Sequence, residues 1–363
     1  MLRLVLSRAL GGKTTYIHNI IADLLKSEYG GEIILMVPEQ YSFATERMML
    51  EKLGPQDANR VEVLSFTRLA NTVFNSIGWD KGRRIDECGK ILLMGRALKA
   101  CQDKLEIYSK SVESPSVVKE MLALAEEFNQ CAITKEVLGE ALNRMPDGLL
   151  KSKIKDISLV LSLYDTFIDD GYFDDSNLLT VLANKLSSSD FFKGKTVFID
   201  AFRGFTAQEI DVISAIMPKA DDVYVTITAP DLEDKGTDDI FYHTKKTAKK
   251  LKKAAALENV AVAKPVILNE NYVGRNEALS FFENNFLSPS AKETGAEASN
   301  ITVCAAPDMR SECAYIASTI KRMLRTNEYK SKDIAVIMRD EGSYDENIKS
   351  AQRQRTSEKR SIL

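Results

Sequence analysis

Hydrophobic and polar positions along the chain follow two periods. Leu2–Leu6 is a short apolar run of strand formers, broken by Gly11 and Gly12. Lys13–Lys26 then places Ile17, Ile20, Ile21, Leu24 and Leu25 at helical spacing, and Tyr29-Gly30-Gly31 stops that helix. Glu32–Val37 reads as a second strand closed by Pro38, Phe43–Leu53 as a helix, and Val61–Phe66 as a third strand. Strands alternating with helices predict a parallel sheet, because parallel neighbours need a crossover between them. From Ile85 to Leu186 long helical-period stretches take over, among them Ile91, Leu92, Met94, Leu98 and Val117, Met121, Leu122, Leu124, Ala125. Strands resume at Thr196–Asp200 and Asp222–Thr228.

This pattern divides the chain into six segments. Residues 1–84 carry the first half of an α/β sheet domain and residues 85–190 an all-helical insertion. Residues 191–287 return to the sheet, and the small, polar stretch 288–300 suits a linker. Ile301–Ala306, a helix over Ser311–Arg325 and Asp333–Met338 then read as a fresh β-α-β unit within 301–351. No length remains to close a second sheet, so that domain is expected to be incomplete. The tail, 352–363, is polar and expected to be disordered. Trp79, alone after a Ser-Ile-Gly turn, reads as a packing residue.

Composition changes this picture little. Hydrophobic residues at 44% and charged residues at 28% are ordinary for a folded chain of 363 residues and exclude a wholly disordered or collagen-like one. No stretch approaches about 20 uninterrupted apolar residues, so no membrane partner is expected. Forty-nine basic against 52 acidic residues argue against a histone-like DNA coat but allow a local basic groove. The five cysteines form no C-x-x-C pair and are odd in number, which suggests neither a zinc ribbon nor a disulfide framework. Five free thiols and a start too soon interrupted by Ser7 and Arg8 for a secretory segment point to the cytoplasm. His18 and His243 lie far apart and suggest no metal site or triad.

The chemistry concentrates at the first strand–helix junction. Ser7-Arg8-Ala9-Leu10-Gly11-Gly12-Lys13-Thr14 matches the phosphate-binding pattern G-x-x-x-x-G-K-[ST] except that Ser7 stands at the first glycine. Gly11 and Gly12 let the backbone approach a phosphate, Lys13 supplies charge, and Thr14 can place its hydroxyl on Mg²⁺. Thr15 follows in the first helical turn. The expected ligand is ATP with Mg²⁺, held through Gly11, Gly12, Lys13, Thr14 and Thr15, with Thr14 and Asp200 at the metal. Asp200 ends the hydrophobic strand Val197-Phe198-Ile199, where such an acid belongs. The alternative is that Asp200 merely caps a turn. Ala201 follows where a water-activating glutamate is usual in helicase-type enzymes, so little hydrolysis is expected. Gln208 is a candidate for orienting a water, and Glu209 reads as a solvated or capping acid. The lysines at 245, 246, 249, 250, 252 and 253 offer phosphate contact or, more simply, a solvated helix face.

Four strings occur in order: the glycine-lysine-threonine loop, Val37-Pro38-Glu39-Gln40-Tyr41-Ser42-Phe43, Val63-Leu64-Ser65-Phe66-Thr67-Arg68-Leu69-Ala70, and Phe198–Glu209 (FIDAFRGFTAQE). Together they resemble the B-type polypeptides of AddAB-type ATP-dependent helicase/deoxyribonucleases from low-GC Gram-positive bacteria. The resemblance covers about 1–351 and implies a RecA-like, UvrD-like motor domain with a large helical insertion, then the start of a second such domain. It implies a role in double-strand break repair by recombination, with an A-type helicase/nuclease subunit as partner and single-stranded and double-stranded DNA as ligands. Strand contacts would fall to Gln40 and Ser42 by hydrogen bonding, Arg68 at a phosphate or base edge, and Phe66 with Phe205 or Phe202 by stacking. The ordinary readings remain open: Phe66 as core and Arg68 as a surface ion pair. The family's nuclease domain and iron–sulfur cluster would lie beyond this sequence, so no cluster and no nuclease activity are expected of it. The departure from the family after about 351 resembles a truncation or frameshift. Competing with this reading are a stand-alone P-loop ATPase and a non-catalytic scaffold with a degenerate loop.

Overall fold

In the computed structural model the described residues are 1–27, 30–78, 83–169, 172–268, 277–286, 293, 295, 297–340 and 342–349. Trp79, part of the linker stretch and the tail 352–363 lie outside them. The chain divides into two compact units, Met1–Val273 and Gly274–Leu363.

The first unit is built on one six-stranded, all-parallel sheet. Its strands are β1 (Leu2–Ser7), β2 (Glu32–Met36), β3 (Val61–Leu64), β6 (Lys195–Ile199), β7 (Asp222–Thr228) and the short β8 (Val266–Ile267), in the order β3-β2-β6-β7-β1-β8. A further pair, β4 (Arg83–Arg84) and β5 (Tyr172–Phe173), makes a separate parallel ribbon. In β1, Leu2, Leu4 and Leu6 point to one face and Val5 to the other, the period-two alternation of a sheet buried on both sides. Helices α1 (Lys13–Lys26) and α2 (Ser42–Ala58) cover the Val5 face. The Leu4 face is covered by α3 (Phe66–Ser76), α8 (Leu178–Ser187), α9 (Ala207–Ile216) and α10 (Tyr242–Leu257).

The insertion consists of α4 (Glu87–Cys101), α5 (Pro115–Gln130), α6 (Lys135–Arg144) and α7 (Leu149–Asp169). Met94, Leu98, Met121, Leu122, Val160 and Tyr164 bury one another in a core of their own. Asp156, 1% exposed, fixes the loop before α5 by accepting from the backbone N–H groups of Glu106, Ile107 and Tyr108. Helix α8, which the periodicity joins to this stretch, instead sets Leu178, Leu182 and Leu186 in the sheet core.

Two local departures have clear causes. The third strand stops at Leu64 because Ser65 caps α3, its hydroxyl accepting from the Arg68 N–H at 3.2 Å, which carries Phe66 into a helix. Helix α2 runs on past Leu53 across a kink at Gly54 (φ 78°) before Pro55, which cannot donate to the helix ladder.

The second unit contains α11 (Glu277–Asn285), α12 (Met309–Arg325) and a helix over 342–349. The expected strands 301–306 and 333–338 are not formed. A strand needs a neighbour for its backbone groups; here Val303 and Ile337 stand 92% and 93% exposed.

Candidate functional site: a phosphate cradle at the strand ends

Ser7 closes β1 with extended backbone, paired with Thr228 of β7, so the altered residue adopts no left-handed conformation. The loop places those conformations at Leu10 (φ 56°) and Gly12 (φ 87°). Ser7 is 2% exposed and its hydroxyl fills the space beside Gly11: a Cβ on Gly11 would meet Ser7 Oγ at 1.6 Å. A side chain at Gly11 would therefore require Ser7 to move. Helix α1 begins here with no side-chain cap and no acid in its first turn, leaving its positive end to whatever the loop encloses. Lys13 bends back across the loop, Nζ donating to the carbonyls of Ser7 (3.1 Å) and Arg8 (2.8 Å). Burial pushes the Lys13 pKa down, and Asp200 opposes that shift.

Asp200 follows β6, two strands from β1, which is about 10 Å at ordinary sheet spacing. It is 3% exposed. Its Oδ1 accepts from Thr226 Oγ1 at 2.7 Å, and its backbone N–H donates to Met36 O. Thr226 belongs to β7, the strand between, so its hydroxyl orients the carboxylate from the neighbouring strand. Ala201 then turns left-handed at φ 65°. Lys13, Thr14 and Asp200 thus share the carboxyl end of one sheet, the usual ligand edge of open α/β folds. Among the described residues no group of three or more His, Cys, Asp or Glu side chains gathers to hold a metal. One carboxylate and one hydroxyl suit Mg²⁺ that keeps its waters and takes phosphate oxygens.

His18, which its spacing from His243 leaves without an expected role, lies on α1 only 6% exposed, with Nε2 unpartnered. Burial lowers its pKa first, with Asp200 opposing and Lys52 adding. Nothing in its spacing distinguishes it from a packing residue.

Gln208 does not face the site. It is 4% exposed, and its amide donates to Ser176 O and Thr180 Oγ1, tying α9 to α8. Glu209 forms a capping box with Thr206 at the start of α9.

The residues expected to meet a DNA strand separate into two kinds. Phe66 is 6% exposed and packs edge-on against Phe202 (5.4 Å) and Phe205 (6.4 Å), so its ring is part of the core rather than an open platform. Ser42 is also buried, its hydroxyl donating to Glu39 O, so it caps a turn. Gln40 is exposed, Phe205 half-buried, and Arg68 exposed and paired with Glu46 at 2.6 Å. Phe43, in the same string as Gln40, is 79% exposed, an open ring that the sequence reading did not single out.

The family described as "ADDB, N-terminal" matches residues 4–283. The chain belongs to the AddB family. Among relatives, the B-type ATP-dependent helicase/deoxyribonuclease subunit of Caldanaerobacter subterraneus subsp. tengcongensis is 32% identical over 96% of this chain and 30% of its own length. The same subunits from Thermoanaerobacter sp. (strain X514) and Clostridium novyi (strain NT) are 31% and 30% identical, again over 96% of this chain and 31% of their own length. The chain spans about a third of the length of these curated AddB relatives. No helix among its described residues is long and apolar enough to cross a membrane.

Proposed function

We propose that this chain is the nucleotide- and strand-binding portion of an AddB polypeptide, acting with an A-type helicase/nuclease subunit in recombinational repair of double-strand breaks. The observation that carries the nucleotide reading is the position of Lys13 and Asp200 at the carboxyl end of one sheet, Asp200 following β6 and the loop following β1 two strands away. The order β6-β7-β1 sets one strand between the loop strand and the acid strand. Gly11, Gly12, Lys13, Thr14 and Thr15 would hold the phosphates of ATP, and Thr14 with Asp200 would hold Mg²⁺, which supplies charge neutralisation between phosphate oxygens. Lys13, whose ammonium donates to the carbonyls of Ser7 and Arg8, would supply its charge to those phosphates.

Turnover is expected to be negligible. Ala201 supplies no base. ATP then serves as a ligand that orders the strand ends while Gln40, Phe43 and Phe205 follow a single strand. Titration with a fluorescent ATP analogue and Mg²⁺ tests this: the chain should saturate, Lys13→Ala should weaken binding at least about tenfold, as loss of a charged hydrogen bond does, and steady hydrolysis should be absent. Equal affinity in Lys13→Ala would favour the degenerate scaffold, and hydrolysis abolished by Lys13→Ala the stand-alone ATPase.

A further inference from the structure

The helical insertion and the sheet domain keep separate apolar cores, and the junction between them is polar. The insertion leaves and rejoins the sheet domain at the β4–β5 ribbon, beside which the Ile85 N–H donates to Phe173 O. Residues 174–177, directly after β5, form a strap with partners on both sides. Towards the insertion, buried Asp174 lies 2.8 Å from Lys90 Nζ of α4, and Asn129 Nδ2 of α5 donates to Ser176 Oγ at 3.1 Å. Within the strap, Ser176 closes on Asp174 twice, its N–H donating to Oδ1 (3.0 Å) and its hydroxyl to Oδ2 (2.8 Å). Towards the sheet domain, buried Gln208 of α9 donates from Nε2 to Ser176 O at 2.8 Å. Ser176 is thus held by α5 through its side chain and by α9 through its carbonyl.

Gln208 stands in the first turn of α9, and residues 201–206 join that helix to Asp200. Phe202 and Phe205 of this loop rest on Phe66, while its far end is fixed wherever the first turn of α9 is fixed. Parting Asp174 from Lys90 would leave a carboxylate uncompensated in the interior, so the strap follows α4. A junction held by polar groups between two bodies with their own cores also yields more readily than a shared apolar core, because its groups accept water when they separate. We infer that the insertion shifts as a body against the sheet domain at this junction, and that residues 174–176 carry the shift to Gln208 and so to the loop behind Asp200. The linkage stands on these contacts alone; its effect on nucleotide rests on the function proposed above.

Hydrogen exchange on the full chain tests the linkage in both directions, with Asn129→Ala on the insertion side and Gln208→Met on the sheet side. Each variant removes one neutral hydrogen bond to Ser176, which corresponds to a rise in exchange of at least about twofold. Asn129→Ala should show that rise at amides 202–209, and Gln208→Met at 87–94 and 125–130, with α1 unchanged in both. A rise confined to the altered helix overturns the inference, as does one that spreads equally to α1, the mark of a loss of overall stability. In the parent, saturating Mg²⁺ and ATP should slow exchange at 87–94 and 125–130. A parent that binds the nucleotide with no change there also overturns the inference, whereas a parent that binds none removes the nucleotide reading and leaves the two variants to decide the linkage.

Discussion

Burial of an unpartnered imidazole makes His18 the source of a pH dependence in folding. Its folded pKa is lowered, so as pH falls through about 6.5 the unfolded chain takes up a proton that the folded chain refuses. Stability therefore falls with pH in that window, with a slope of at most about 1.4 kcal/mol per pH unit from one group. Denaturant titrations between pH 7.5 and 5.5 should show a shallower slope for His18→Leu; an equal slope would assign the effect elsewhere. The aromatic side chains divide by burial in the same way. Phe66→Ala should cost about 3–5 kcal/mol, the range for emptying a core ring, because Phe202 and Phe205 lose their partner. Phe43→Ala should leave stability within about 0.5 kcal/mol, as exposed sites do, yet weaken single-strand binding. Strand binding unmoved by Phe43→Ala would remove that residue from the interface. The sequence places Phe66 and Phe43 in equally suggestive strings. What separates them is the Ser65 cap, a single hydroxyl that turns the chain into α3 one residue earlier than apolar content suggests.

At the scale of elements, Lys90 joins the insertion to the segment after β5. Its ammonium, 11% exposed, lies 3.0 Å from Glu126 of α5 and 2.8 Å from Asp174, whose side chain is 2% exposed. Burial works against the lysine's charge, but hydrogen bonds to both carboxylates raise its pKa, so it stays protonated. Lys90→Met should destabilise by about 3–5 kcal/mol, because it strands the Asp174 carboxylate in the interior. Adding Asp174→Asn should recover part of that loss; a double variant no better than the single would contradict the account. This pair was not legible from spacing, since Lys90 and Asp174 stand on opposite sides of three helices. The sheet strands were legible because both faces are buried and their apolar runs are bounded by turn residues. The runs 301–306 and 333–338 have the same composition and form no strand, since pairing depends on a neighbour that local pattern does not contain. Helix α8 shows the converse: its period is right, but only the contacts with α3 and α9 assign it to the sheet.

Over the whole molecule, the parallel sheet and the run of helices inserted in it could be read from the sequence, because strands that alternate with helices need crossover connections. The role of Thr226 could not, because it depends on which strand lies beside β6. The chain belongs to the AddB family and spans about a third of the length of the curated relatives it matches. The claim on which the reading depends is that Lys13 and Asp200 serve one nucleotide. A double-mutant cycle on Mg²⁺-dependent ATP affinity, with Lys13→Ala, Asp200→Asn and the pair, measures it most directly. Groups that grip one ligand should be non-additive by about 0.5–3 kcal/mol, with the Mg²⁺ dependence lost in Asp200→Asn. Additive losses, within about 0.3–0.5 kcal/mol, or an affinity indifferent to both substitutions, would contradict it.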